Sequence, residues 1–162
     1  MAPLLEKLED LYGDFLAVDP RQLRDVYAES VIFRDPIHKL RGLPTVEDYF
    51  AGMAANLSEC RFVFDQTLAS ADRASLWWTM HYRHPKLAGG KLLSLRGASL
   101  LTIDPTAERV LEHEDIYDLG AMVYEQIPVL GAVVNLVKGR LASGSRRAPM
   151  SAATPFRGEE RR

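Results

Sequence analysis

Cysteine is almost absent from this sequence: Cys60 stands alone, which excludes an intrachain disulfide and any multi-cysteine zinc site. Long hydrophobic runs are missing too. The longest, residues 127–137, is too short to cross a bilayer and is interrupted by Gly131. No charge of one sign dominates: the formal net charge is −2, which argues against nucleic acid as a partner. The start, Met1-Ala2-Pro3-Leu4-Leu5-Glu6-Lys7, has no basic stretch leading into an apolar core, so no signal peptide is read and a reducing cytoplasm is the expected compartment. The four histidines include no pair at helical metal-ligand spacing, and neither a metal nor an organic cofactor is expected.

What is present is an ordinary globular composition, 47% apolar and 26% charged over 162 residues, enough for one buried core. From Ser143 onward the chain turns to Ser, Ala, Pro, Gly and Arg, with Arg146, Arg147, Arg157, Arg161 and Arg162 set against Glu159 and Glu160. The expected organisation is a domain over residues 1–141 and a disordered basic tail over 142–162.

Leu4, Leu8, Leu11 and Phe15 recur at helical spacing after Pro3, with Tyr12 and Leu16 widening the stripe. Asp19-Pro20 reads as the cap and first position of a short second helix that turns Leu23, Val26 and Tyr27 inward. Val31-Ile32-Phe33 is a short strand. Thr45 is the expected cap of a third helix, whose inner face is Val46, Tyr49, Phe50, Met53 and Leu57. The period then changes to two, with strands over residues 61–69, 75–84, 92–103 and 109–117. In the second of these, Leu76, Trp78, Met80 and Tyr82 face one way, Trp77, Thr79, His81 and Arg83 the other. Gly97, inside the third, is expected to mark a bend or bulge. Asp118 caps a C-terminal helix over residues 119–141, which Pro128 should kink.

Helices followed by a meander of long strands imply an α+β fold. The helices cannot cover both faces, so the antiparallel sheet should curve around them as a cone open at one end. Exposed Trp77 on the outer face makes a homodimer the expected partner arrangement.

One motif stands out within this frame. In Phe33-Arg34-Asp35-Pro36-Ile37-His38, the proline forces Asp35 out of helical geometry and ends the strand there. On the last strand, alternation puts His113, Asp115 and Tyr117 on one face together with Leu111 and Leu119. An imidazole and a carboxylate on an apolar face must be paired, and a carboxylate desolvated in a pocket has a raised pKa and can serve as a base near neutral pH. The competing reading of each is structural: a turn former at Asp35, a satisfied pair at His113 and Asp115.

The segment Tyr27-Ala28-Glu29-Ser30-Val31-Ile32-Phe33-Arg34-Asp35-Pro36 is followed by Arg41-Gly42, a helix, the meander and His113-Glu114-Asp115-Ile116-Tyr117-Asp118-Leu119-Gly120. In that order and spacing it resembles the nuclear transport factor 2-like superfamily, in particular its SnoaL-like branch of polyketide cyclase and ketosteroid isomerase-like domains. The resemblance covers about residues 4–120 and implies a cone-shaped, commonly dimeric domain. It places Asp35 on the isomerases' general base, Tyr12 near their oxyanion donor, and Asp115 on the last-strand aspartate of the epoxide hydrolases. Ser99 occupies the place of the isomerases' second acid. Arg96-Gly97-Ala98 offers no acid where the hydrolases carry one, so neither full set is present.

Two functions follow as expectations. In the first, Asp35 is a general base, His113 and Asp115 assist, and Tyr12 donates to an oxyanion. His38, Trp78, Met80, Tyr82 and Tyr117 then line a site for a small hydrophobic carbonyl or polyketide-like compound. In the second, the same pocket holds an apolar ligand or a protein partner without chemistry. The apolar C-terminal segment, ending in Lys138-Gly139-Arg140 and the arginines of the tail, would also suit a membrane surface. Packing against the chain's own sheet or a dimer partner is the commoner use of such a segment.

Overall fold

A computed structural model describes residues 2–122 and Lys138. The C-terminal helix beyond Met122, the kink at Pro128 and the tail lie outside the described residues. Leu4, Leu5, Leu8 and Tyr12, spaced by three or four, form the buried face of α1 (Ala2–Gly13). Asp19 then caps a short 3-10 helix (Pro20–Asp25). Its carboxylate accepts from the Arg21 amide while Gln22 Oε1 accepts from the Asp19 amide, a reciprocal capping box. That turn buries Leu23 and ends before Tyr27, which belongs to the first strand and not to the helix expected of it.

The strands are β1 (Tyr27–Arg34), β2 (Lys39–Arg41), β3 (Glu59–Ala69), β4 (Arg73–Arg83), β5 (Leu93–Asp104) and β6 (Arg109–Tyr117). Between β2 and β3 runs α2 (Leu43–Asn56). The sheet order is β2-β1-β6-β5-β4-β3. From β3 to β6 it is the expected antiparallel meander. The β1–β6 pair is parallel, with Phe33 opposite His113, so the chain's two halves meet inside one sheet. The curved sheet wraps the helices, α1 against β3 and α2 against β1.

Three local expectations are corrected. The α2 N-cap is Gly42, not Thr45: its φ of +83° is a conformation that suits glycine, and Pro44 then occupies the helix's first turn. Gly97 marks no bulge, since it pairs in regular register with Trp78 and Tyr117. It is instead a close approach, because a Cβ there would lie 2.3 Å from the Trp78 ring. The irregularity falls on β6. Ile103 pairs with Val110 and Thr102 with Glu112, leaving Leu111 as the extra residue of a bulge. Strict alternation would have put Leu111 inward beside His113. The bulge buries Val110 instead and resets the phase so that His113 is fully enclosed.

The expected inner face of β4 holds: Leu76, Trp78, Met80 and Tyr82 are buried, and Trp77 is 43% exposed on the other side. The inner face packs on Leu8 and on Tyr12, Phe15, Phe50 and Phe62, and the rings of these four meet edge-on or tilted at centroid distances of 5.1–6.2 Å. After β6, Asp118 Oδ1 accepts from the Ala121 amide and starts α3 (Leu119–Met122), and Lys138 Nζ lies 2.7 Å from its other oxygen. Among the described residues no helix is long and apolar enough to cross a membrane.

Candidate functional site

β6 delivers His113, Asp115 and Tyr117 to the inner side of the sheet, and a line of hydrogen bonds runs through the first two. Asp115 Oδ1 is 2.8 Å from His113 Nε2 and 2.5 Å from Ser99 Oγ. Ser99 in turn accepts from the Trp78 indole N–H at 2.9 Å. On its far side the imidazole meets the Tyr27 hydroxyl, 2.7 Å from Nδ1, and Tyr27 meets the Tyr12 hydroxyl at 3.0 Å. Six side chains from α1, β1, β4, β5 and β6 are thus joined inside the core. Tyr12 and Tyr27 are wholly enclosed, and burial drives both phenols well above their ordinary ionisation range. Of the partners open to the buried imidazole and carboxylate (each other, Asp35 or water), the structure pairs them with each other, extended by a serine and two tyrosines.

Asp115 Oδ2 has no hydrogen-bond partner among the described residues. Asp115 lines a cavity of about 40 Å3 whose walls also include Phe33, Asp35, Tyr49, Trp78, Met80 and Tyr117. Such a volume holds about three water molecules. Tyr117, two residues along the same strand, is half-buried, and its hydroxyl likewise has no partner among the described residues. Burial, then the charges of Asp35 and Asp115 in the same cavity wall, hold its phenol above the usual range.

Asp35 reaches this cavity in a different condition. Its side chain is 3% exposed and its oxygens are fully engaged. Oδ1 accepts from the amides of Ile37 at 2.7 Å and His38 at 2.6 Å, while Oδ2 accepts from the Tyr49 hydroxyl at 2.7 Å and from His38 Nδ1 at 3.0 Å. Burial pushes its carboxyl up, but the hydrogen bonds from Tyr49, Ile37 and His38 outweigh that and hold it below the ordinary carboxylate range. The raised basicity expected of a pocket carboxylate does not apply here.

The remaining expected residues separate by position. His38 packs against the Tyr49 ring and grips Asp35 from the cavity's edge, with its own side chain 40% exposed. Trp78 and Met80 are cavity wall. Tyr82 is turned to the C-terminal side, where its hydroxyl donates to the carbonyl of Met122, a residue that lines the cavity, at 2.9 Å. Tyr12 touches the cavity with its ring, but its hydroxyl is occupied by Tyr27. Among the described residues, no group of three His, Cys, Asp or Glu side chains converges as a metal site. A wider depression of about 470 Å3 lies on the outer face of the sheet, and none of these residues lines it.

The model of the SnoaL-like domain family matches residues 8–113, more than half of the chain. The chain belongs to the SnoaL-like domain family. Solved structures of the same architecture include an NTF2-like protein of unknown function from Burkholderia pseudomallei K96243, at 17% identity and TM-score 0.66, covering 79% of this chain and 99% of that one. A protein of ketosteroid isomerase-like fold from Catenulispora acidiphila DSM 44928, in complex with trimethylamine, is 15% identical with TM-score 0.65, covering 75% and 91%. TsrD from Streptomyces laurentii is 19% identical with TM-score 0.63, covering 78% and 93%. No curated protein matches the chain. At such identities these likenesses establish the fold alone.

Within this SnoaL-like frame, three side chains escape a reading of the sequence as their neighbours do not. Ser99 is the one hydroxyl on an inner face otherwise made of Leu95, Gly97, Leu101 and Ile103, and that isolation was a usable signal. Tyr49 sits among core aromatics on α2, and nothing in its spacing marks it as the donor to Asp35. Tyr27 looked like the end of a helical turn, and only the parallel β1–β6 pairing brings it to His113.

Proposed function

We propose that this SnoaL-like chain is a cofactor-free acid–base catalyst acting on a small carbonyl compound of polyketide-like type, with Asp115 as the base. One observation carries the reading. In a mainly apolar cavity, Asp115 has one oxygen unpaired among the described residues, while its other oxygen is braced by His113 and Ser99. A base so placed needs no reorganisation to take a proton from a carbon acid. Tyr117 supplies the complementary group, a phenol with no hydrogen-bond partner among the described residues on the same strand face, suited to donate to the carbonyl oxygen as negative charge develops on it. Tyr12 suits that role less well because its hydroxyl is engaged by Tyr27. Asp35, with every acceptor site occupied, shapes the cavity together with Tyr49 and His38 and takes no proton in this scheme.

A module that stores an apolar ligand without chemistry would use the same cavity and faces the same limit of size, but it gives no role to a carboxylate braced by His113 and Ser99 in the cavity wall. A homodimer belongs to the same reading. Leu68, Trp77, Leu100 and Ile116 are all exposed on neighbouring rungs of the outer face, with Trp77 opposite Ala98 and Ala98 opposite Ile116.

The test is deuterium uptake from D2O into a panel of small ketones and 1,3-dicarbonyls, followed by proton NMR. The chain should accelerate exchange for at least one, and Asp115→Asn should lose about 100-fold or more of that acceleration. Asp35→Asn should retain most of it in protein that is still folded. Exchange no faster than buffer across the panel would sink the catalytic reading.

A further inference from the structure

We propose that Tyr27 and Ser99 are positioning residues for Asp115: together they fix the direction of every hydrogen bond around it and leave Oδ2 as its one acceptor for an incoming proton. This rests on the reading of Asp115 as the base. The assignment follows from counting protons along the buried line. An ionised carboxylate only accepts, so His113 Nε2 and Ser99 Oγ must both carry their protons toward Asp115 Oδ1. With Nε2 protonated, the neutral imidazole offers Nδ1 as an acceptor, and the Tyr27 hydroxyl donates to it at 2.7 Å. Tyr27 has then spent its one proton, so Tyr12 donates to Tyr27. The Trp78 indole N–H, a donor only, ends on Ser99. Five donors meet four acceptor atoms, Asp115 Oδ1 taking two of the protons, and no donor in the line is left over.

The reverse arrangement does not close. Were His113 doubly protonated, Nδ1–H would donate to Tyr27. Tyr27 would donate to Tyr12, and the Tyr12 proton would have no acceptor among the described residues. The buried line therefore selects the neutral, Nε2-protonated form, and Tyr27 is the residue that selects it. Orienting groups of this kind hold a reacting side chain in one geometry while never touching substrate. Neither Tyr27 nor Ser99 has a free polar atom directed at the cavity, which separates their role from that of Tyr117.

The experiment uses the full chain labelled with 15N, and long-range imidazole spectra that report which ring nitrogen carries the proton. His113 should show a protonated Nε2 and a hydrogen-bonded, unprotonated Nδ1. Tyr27→Phe should shift the Nδ1 resonance toward that of a free nitrogen, and Ser99→Ala should shift the Nε2–H proton by shortening its bond to Asp115. In the ketone exchange assay both variants should lower kcat about tenfold with little change in KM, and Ser99→Thr, which keeps the hydroxyl, should restore it. A cationic or Nδ1-protonated His113 in the unmodified chain overturns the assignment, as does Ser99→Ala with unchanged kcat. The imidazole spectra decide it even if no ketone exchanges: an intact Nε2–H pattern beside absent turnover removes the proposed reaction and leaves the hydrogen-bond order standing.

Discussion

The indole of Trp78 lies against the bare backbone of Gly97, its partner across β4 and β5, and a Cβ added at Gly97 would stand 2.3 Å from the ring's Cη2. The same indole donates to Ser99, so the glycine indirectly places the serine that braces Asp115. Gly97→Ala should therefore cost about 1–3 kcal/mol, the usual penalty of overpacking, and should move the indole. Urea unfolding and tryptophan fluorescence check this together, and a variant as stable as the parent with the same emission would contradict the close-approach account.

The buried line makes an ordered prediction about tyrosines. Tyr27→Phe leaves both His113 Nδ1 and the Tyr12 hydroxyl unpaired, and should cost about 1–3 kcal/mol. Tyr12→Phe removes the terminal donor and leaves only a spare acceptor on Tyr27, so its cost should be nearer about 1 kcal/mol. Equal losses in chemical denaturation would mean that the two hydroxyls do not lie in series.

Acid should loosen the Asp35 turn in a definite direction. The carboxyl is held below its ordinary range in the folded chain, so its contribution to stability is complete above the unfolded value, near about 4. That contribution is lost as pH falls through the lower folded value. Asp19 behaves alike at the surface, held at about 2 by its Arg21 hydrogen bonds. Melting temperature should thus fall below about pH 4, and Asp35→Asn should flatten part of that decline. An unchanged acid limb in the variant would count against the four-donor grip.

On the outer face, Trp77→Glu should leave the circular dichroism spectrum intact while halving the mass seen by sedimentation at micromolar concentration. The substituted position is 43% exposed, so its effect on the single chain should stay within about 0.5 kcal/mol. A monomeric parent chain would remove the dimer from the proposed function.

Much of this architecture was legible because each element carries its own period. β4 shows alternating faces and α1 a clean stripe, and their order pointed to an α+β cone. The misreadings arose where a long-range contact decides. Gly42 and Thr45 compete for one cap, and backbone conformation settles it in a way no side-chain preference reveals. Leu111 reads as inward until a bulge, invisible in the sequence, shifts β6. Asp35 and Asp115 looked alike as pocket acids, yet the difference between them lies in Tyr49, a residue 14 positions from Asp35 and on another element. Periodicity places a side chain on a face, but it says nothing of how many donors await it there.

β6 is hydrogen-bonded on both edges, to β1 on one side and β5 on the other. The strand carrying His113, Asp115 and Tyr117 is accordingly an interior strand of the sheet and a poor candidate for movement. Any guest larger than a few waters must be admitted by yielding at the opposite wall, where Met53 of α2 and Met122 of α3 offer unbranched, easily re-oriented side chains. Selectivity would then be a property of the door, and reactivity a property of the hearth behind it.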